Sequence, residues 1–491
     1  MEWLAPYLPS LMFATLAFLL FSGYPVAFIL GGVGMGFGLL AYAIDPWLFD
    51  LPQFGVLPSR IFGSVAESLI LTAVPMFIFM GTMLERSGVA RDLLNCLQVL
   101  LRRVPGGLAL SVTIMGTILA ATTGIIGASV VMMSLLALPI MLQRGYAPTL
   151  ATGTIAASGT LGILIPPSIM LVIMADLLSR SVGTLFVAAI VPGFMLAGLY
   201  VLYIIVIAIL KPQNAPKLPE GFGPKSNGQY VLMIARSFLP PVFLIACVLG
   251  SILGGLATPT EAAGVGAFGA IILGVINLVV LPALGVPDFH FDGDAQTTLD
   301  DHATGRGFVR DLKHFGGVLQ DVLVNTGLTN AMVFGLFIGA TLFSYMFRAL
   351  GGEAQVEAFI EHLGFGPWGL LAMIMGIVFL LGFFLDWIEI TLIVLPVFAP
   401  VIGALDFGDH VMQSEVIYWF AILMAVNLQT SFLTPPFGFA LFYLKAVAPP
   451  EIKIQQIYLG IIPFVGLQLI ALTLVVLFPD LALWLPRTLL E

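Results

Sequence analysis

Long apolar runs, each closed by a short cluster of glycine, proline or charge, follow one another from end to end of the chain. They predict membrane spans near 6–22, 25–44, 60–84, 148–178, 184–210, 237–256, 260–284, 327–348, 415–447 and 455–479, because about 20 apolar residues cross a hydrocarbon core. The runs are continuous rather than alternating, which excludes an outer-membrane barrel. Two further apolar stretches, 106–142 and 367–403, behave differently. Each breaks in its middle, at "TTGIIGAS" (122–129) and "GFFLDWIE" (382–389), into limbs of about 15 residues that are too short to span.

Composition agrees with the pattern. Of 491 residues, 59% are hydrophobic and 9% charged, against roughly 25% charged in a soluble domain. A water-soluble enzyme is excluded. With 18 Lys+Arg against 27 Asp+Glu and a net charge of −9, so is a nucleic-acid-binding protein. The N-terminus "MEWLAPYLPS" lacks the basic start of a cleaved signal, so its first run reads as a retained span.

The positions of the cations orient the spans. Basic residues gather in 85–105, at Arg144, in 211–236, in 306–313 and in 445–453, while 45–59, 351–366 and 404–414 hold neither Lys nor Arg. Placing the basic segments inside leaves only Arg60, Arg180, Arg348 and Arg487 outside, and both termini then face out. Both ends of 106–142 become internal and both ends of 367–403 external. Each stretch therefore enters and leaves on one side, as a re-entrant helical hairpin, and the two point in opposite directions.

The halves repeat. "GGLALSVTIMG" (106–116) returns as "WGLLAMIMG" (368–376), "FIFMG" (77–81) as "GLFIG" (335–339), and each hairpin precedes a span cut by a double proline, "SGTLGILIPPS" (158–168) and "NLQTSFLTPPFG" (427–438). Inverted repeats with broken helices are the build of secondary transporters. Proline removes a backbone donor and clashes with the preceding turn, so Pro166-Pro167 and Pro435-Pro436 interrupt their helices. Unpaired backbone at that depth must line a cavity or bind something. Ser158, Thr160 and Ser168 flank one break, and Asn427, Thr430, Ser431 and Thr434 the other. Hydroxyls and carbonyls suit a sodium ion, and half-helix N-termini suit an anionic group.

Other polar features are read against structural roles. Thr258-Pro259-Thr260-Glu261 fits a helix-capping box. Asp386 and Glu389, three apart in an apolar stretch, share a helical face and could hold a cation or carry a proton, or sit at a tip wetted by solvent. Glu67 in the third span is expected to hydrogen-bond or face a partner. Cys96 and Cys247 show no metal spacing, and His290, His302, His314, His362 and His410 lie between apolar runs as solvated residues. The acidic stretch 286–306 lacks calcium-loop spacing, and no G-x-x-x-x-G-K-[ST] occurs.

Taken together, "SGTLGILIPPS", "TPTEAA" (258–263), "GFFLD" (382–386) and "TPPFG" (434–438) resemble the large membrane subunit of tripartite ATP-independent periplasmic (TRAP) transporters, over nearly the whole chain. The resemblance implies an all-α polytopic membrane protein, an inverted-repeat elevator-type secondary transporter with two re-entrant hairpins and two discontinuous helices. It implies sodium-coupled import of a small organic acid across the bacterial inner membrane, with a small four-span membrane subunit and a periplasmic substrate-binding protein as partners. By position it assigns ion and substrate binding to Thr123, Gly124 and Ser129 with Ser158, Gly159, Thr160 and Gly162, and to Gly382 and Asp386 with Asn427, Thr430 and Ser431. Pro166, Pro167, Ser168, Glu389, Thr434, Pro435 and Pro436 complete the candidate set. No cofactor beyond the coupling ion is expected. The implied division is scaffold 1–84, first transport half 85–180, scaffold 181–350 with loops 211–236 and 285–313, second transport half 351–450, and a C-terminal span 451–491. A self-sufficient sodium– or proton–carboxylate symporter is the alternative. No catalytic set within the spans points to an enzyme.

Overall fold

The computed structural model describes residues 2–124, 126–218, 223–224, 226–284, 286, 307–435 and 438–490, and these are helical with no strand among them. Helices start and stop where the local chemistry dictates. Pro148, Pro259 and Pro367 each open a helix at its first turn, where the missing N–H costs nothing. The box at Thr258 is formed as expected: the Thr258 N–H donates to Glu261 Oε2 at 2.8 Å, and the Glu261 N–H to Thr258 Oγ1 at 3.3 Å. Gly364 adopts φ +62° at the end of Gly352–Leu363, and the chain bends by 119° into Pro367–Leu381, a reversal that favours a residue without Cβ.

Among the described residues, eight helices are long and apolar enough to cross a membrane, or nine if that bent pair counts as one. The two halves run through the same order of elements. Ala73–Arg86, the amphipathic Val89–Leu100, the hairpin Gly107–Thr123 with Ile126–Gln143, the broken helix Pro148–Thr160 with Ile169–Leu177, and Val182–Leu210 make the first. The end of Phe308–Ala349, the amphipathic Gly352–Leu363, the hairpin Pro367–Leu381 with Trp387–Gly403, the broken helix Val416–Leu433 with Phe439–Val447, and Ile454–Leu477 make the second.

Outside the hairpins the halves exchange partners. Val26–Ile44 packs on Phe308–Ala349, and Pro259–Val275 packs on Ala73–Arg86. Small residues allow both crossings. A methyl group at Gly34 would stand 3.0 Å from the Leu342 carbonyl oxygen, and one at Gly266 would stand 2.6 Å from Met80 Sδ. In lipid, where apolar surface alone does not draw helices together, such close backbone approach supplies the packing.

The structure departs from the sequence reading in several places. The span expected at 60–84 is two pieces, Leu57–Ile61 continuing through Phe62–Ala66, and Ala73–Arg86. Side chains draw the intervening backbone away: Ser68 Oγ donates to Asp176 Oδ1 at 2.9 Å and accepts from the Leu71 N–H at 3.3 Å, and Thr72 Oγ1 donates to the Leu69 carbonyl at 2.6 Å. Residues 308–313, expected in a loop, open a 42-residue helix whose length of about 63 Å carries its basic first turns beyond the core. The limbs of the hairpins are 17 and 18 residues in the first and 15 and 17 in the second, and the outgoing limb of the first, Ile126–Gln143, expected to be too short to span, is one of the eight helices long and apolar enough to cross. After Ile454–Leu477 the chain turns into a further helix, Asp480–Leu490, pinned by Arg487 to Glu415 through two bonds of 2.6 Å. His410 is half-buried rather than fully solvated: a ring nitrogen meets the Val476 carbonyl at 2.8 Å, and the ring packs edge-on against Trp368 and Trp419. His290 and His302 lie outside the described residues.

Candidate functional site

The first hairpin folds around the first broken helix. Thr123 ends the incoming limb and Gly124 caps it at φ +57°. A methyl group on Gly124 would fall 2.6 Å from Ile169 Cδ1, so the tip rests on the residue where the broken helix resumes. Pro148–Thr160 tightens into the turn Leu161–Ile163, which contains Gly162, and then stops. Pro166-Pro167 crosses the gap with a cis bond, and Ser168 is extended before Ile169–Leu177 begins. Ser158 and Gly159 lie between the limbs. Ser158 Oγ reaches Thr113 Oγ1 at 3.3 Å, and a methyl group at Gly159 would meet Val130 Cγ2 at 2.5 Å. Ser129, on the outgoing limb, is buried.

The second hairpin repeats the arrangement. Gly382 closes Pro367–Leu381 directly against Ser431, so tightly that a methyl group there would overlap the hydroxyl. Asn427 Nδ2 donates to the Met375 carbonyl at 2.7 Å. Asn427 thus holds the incoming limb as Ser158 does in the first half. Thr434 and Pro435 are half-buried at the break, which the Gly438 N–H bridges by donating to the Thr434 carbonyl at 3.2 Å. Pro436 lies outside the described residues.

The two assemblies interlock. Ile169–Leu177 packs on Trp387–Gly403, Phe439–Val447 packs on Ile126–Gln143, and Val416–Leu433 touches both Pro148–Thr160 and the turn after it. Tyr443 shows the exchange at one residue. Its ring covers Gly127, where a methyl group would stand 2.9 Å from Cζ, and it lies within electrostatic reach of Asp386 and Glu389. Nothing in the sequence pattern singled Tyr443 out, since its partners come from two distant hairpins.

The polar groups here have a common state. Ser158, Thr160, Ser168, Asn427, Thr430 and Ser431 are buried. Thr160 donates to the Ala157 carbonyl, Ser168 to Ile163, Thr430 to Val426 and Ser431 to Leu428, at 2.6–3.1 Å. A hydroxyl whose proton is committed to backbone keeps its lone pairs for another partner, and oxygen lone pairs are what a hard cation takes. Asp386 and Glu389 are engaged otherwise. Asp386 caps Trp387–Gly403: its Oδ1 accepts from the Trp387 N–H at 2.8 Å, while its own N–H donates to Glu389 Oε2 at 3.1 Å. D-x-x-E before an apolar run is the same signal as T-x-x-E at Thr258, so this box was legible in the sequence. Arg180 sits over the ring of Tyr418 at 5.8 Å, about 18 Å along its helix from Thr430.

Two opposed hairpins seated on two interrupted helices, related by an inverted repeat, define a secondary transporter. The chain belongs to the family described as tripartite ATP-independent periplasmic transporter, DctM component, whose family model matches residues 13–481. It is 28% identical over 448 residues to a C4-dicarboxylate TRAP transporter large permease protein of Pseudomonas aeruginosa, covering 91% of this chain and 93% of that one. It is also 28% identical over 481 residues to an ectoine TRAP transporter large permease protein of Halomonas elongata, covering 97% and 98%. An isethionate TRAP transporter permease protein of Oleidesulfovibrio alaskensis is 28% identical over 496 residues, which are 98% of this chain and 67% of that longer one. Among solved structures, the YdaH transporter of Alcanivorax borkumensis shares the fold at TM-score 0.56 and 15% identity, over 89% of this chain and 88% of that one.

Proposed function

We propose that this chain carries out sodium-coupled import of a small organic acid across the bacterial inner membrane, with both termini in the periplasm. It works as the large subunit beside a small four-span membrane subunit, and a periplasmic binding protein delivers the substrate. The observation that carries this reading is the paired packing of hairpin tips on helix breaks, Gly124 on Ile169 and Gly382 on Ser431. The first pairing brings glycine backbone onto the helix start at Ile169, and the second brings it onto the buried Ser431 hydroxyl near the end of Val416–Leu433. Sodium is held by oxygens from Thr123, Ser129, Ser158, Thr160 and Gly162 at the first tip, and from Asn427, Thr430, Ser431 and Thr434 at the second. The acid group is drawn by the positive ends of the helices that resume at Ile169 and Phe439. The hairpins and broken helices interlock and so move as one block against the scaffold, in the manner of an elevator. Relatives named for C4-dicarboxylate, ectoine and isethionate support a small polar solute.

Uptake of labelled organic acids by proteoliposomes tests this, with the chain alone or with both partners, and with or without a sodium gradient. Uptake that needs both partners and sodium is expected. Uptake by the chain alone would replace the tripartite unit with a self-sufficient symporter. Ser158→Ala combined with Thr430→Ala is expected to abolish uptake while leaving membrane insertion intact, and normal uptake by this double variant would reject the site.

A further inference from the structure

A cavity of about 910 Å³ lies between the scaffold and the block of hairpins and broken helices, near the upper end of the roughly 300–1,000 Å³ usual for small-molecule sites. Two polar stripes face each other across it. Arg60, Ser64 and Glu67 come from one wall, and Thr341, Ser344, Tyr345 and Arg348 from the other. Their spacings of three, four and seven residues put each set on one helical face. The walls run antiparallel, because Arg60 lies over the ring of Tyr345 at 5.9 Å and Ser64 Oγ is 3.3 Å from Thr341 Oγ1. From the block, Asp176 closes the far end, accepting from Ser68 Oγ at 2.9 Å, and Pro396 lies at the near end, where its carbonyl accepts from Arg348 Nη2 at 3.2 Å.

The charges are layered along the cavity. Guanidiniums stand at one level, hydroxyls at the next, and the carboxylates of Glu67 and Asp176 beyond them. Seven residues separate Arg60 from Glu67, about 10 Å along a helix. The layers are also unevenly neutralised. Arg348 is bound to Glu353 at 3.0 Å, whereas the side chains of Arg60 and Glu67 have neither ion pair nor hydrogen bond among the described residues, and both are exposed to the cavity. A simple dianion entering here would meet one uncommitted guanidinium and two carboxylates. A solute carrying both signs matches both ends, and charged side chains that face a cavity at a membrane protein's edge are functional sites by default.

We propose that this cavity binds a small zwitterion, with its acid group against Arg60 and Arg348 and its cationic group against Glu67 and Asp176. The proposal rests on the transport reading above for the side from which the solute arrives, and it narrows the organic acid to one that also bears a positive charge.

The test uses the full chain with Ser64→Cys in membrane vesicles, labelled from outside by a membrane-impermeant maleimide, with Thr341→Cys as a second reporter. The parent chain, which carries Cys96 and Cys247, sets the background. Ectoine, carnitine and γ-aminobutyrate serve as zwitterionic probes, and succinate and isethionate as anionic ones. At least one zwitterion is expected to slow labelling of both reporters, and Arg60→Gln and Glu67→Gln are each expected to raise its half-protecting concentration at least tenfold. Three results would overturn the proposal: labelling only from inside, protection by no zwitterion, or equal protection by succinate that survives Glu67→Gln. Protection reads binding and uptake reads transport, so the two failures separate. Zwitterion binding without any uptake would reject the transport site alone, and sodium-driven uptake without protection would reject this cavity alone.

Discussion

Asp386 and Glu389 sit beside the second hairpin tip, yet one oxygen of each accepts from backbone N–H groups in a reciprocal cap. Asparagine caps a helix about as well as aspartate, whereas alanine costs about 1 kcal/mol. Asp386→Asn is therefore expected to keep both thermal stability and uptake, and Asp386→Ala to lower stability by about 1 kcal/mol. A stable Asp386→Asn protein without uptake would show that the charge itself takes part in transport. Gly382 poses a different demand. Its Cβ position is occupied by the Ser431 hydroxyl, and overpacking of this kind costs about 1–3 kcal/mol. Gly382→Ala is expected to destabilise by that amount and to lose uptake, and adding Ser431→Ala should recover part of the stability. Strict additivity of the two changes would contradict the contact. At this scale the glycines and hydroxyls of the tips were legible in the sequence, because glycine-rich breaks inside apolar runs have few other uses. The cap at Asp386 was equally legible from its spacing. Tyr443 was not, because Gly127 beneath its ring belongs to a hairpin more than 300 residues earlier in the chain.

Helix ends and spans were mostly readable from punctuation and hydropathy, and the exceptions share a cause. The break after Glu67 depends on Ser68 finding Asp176, 108 residues away, and no local pattern encodes that. The amphipathic helices Val89–Leu100 and Gly352–Leu363 were hidden because a search for apolar runs passes over mixed segments. Phe308–Ala349 outran its apolar part because polar residues can continue a helix past the membrane. Helix crossings offer a sharper test. Gly34 meets the Leu342 carbonyl at 3.0 Å, while Gly32, on the same helix, has nothing within 4 Å of its Cβ position. Gly34→Leu is expected to lower the thermal unfolding midpoint or the folded yield in detergent, and Gly32→Leu to change neither. Equal effects of the two would mean that the crossing is not set by backbone approach.

At the scale of the molecule, contacts between the Arg60 side of the chain and the block of hairpins and broken helices include the Ser68–Asp176 bond and the bond from Arg348 to the Pro396 carbonyl. If the block travels, these pairs must part in every cycle. Ser68→Cys with Asp176→Cys is expected to cross-link under oxidation and to stop uptake, with recovery on reduction. Undiminished uptake by fully cross-linked protein would exclude movement at this boundary. The exchange of partners between the halves also bears on how the protein is made. Val26–Ile44 has its packing partner in Phe308–Ala349, and Ile126–Gln143 has one of its own in Phe439–Val447. Each of these early helices is therefore made well before the helix that covers it, and the glycine face of Val26–Ile44 stays without its cover until about 260 further residues have been added.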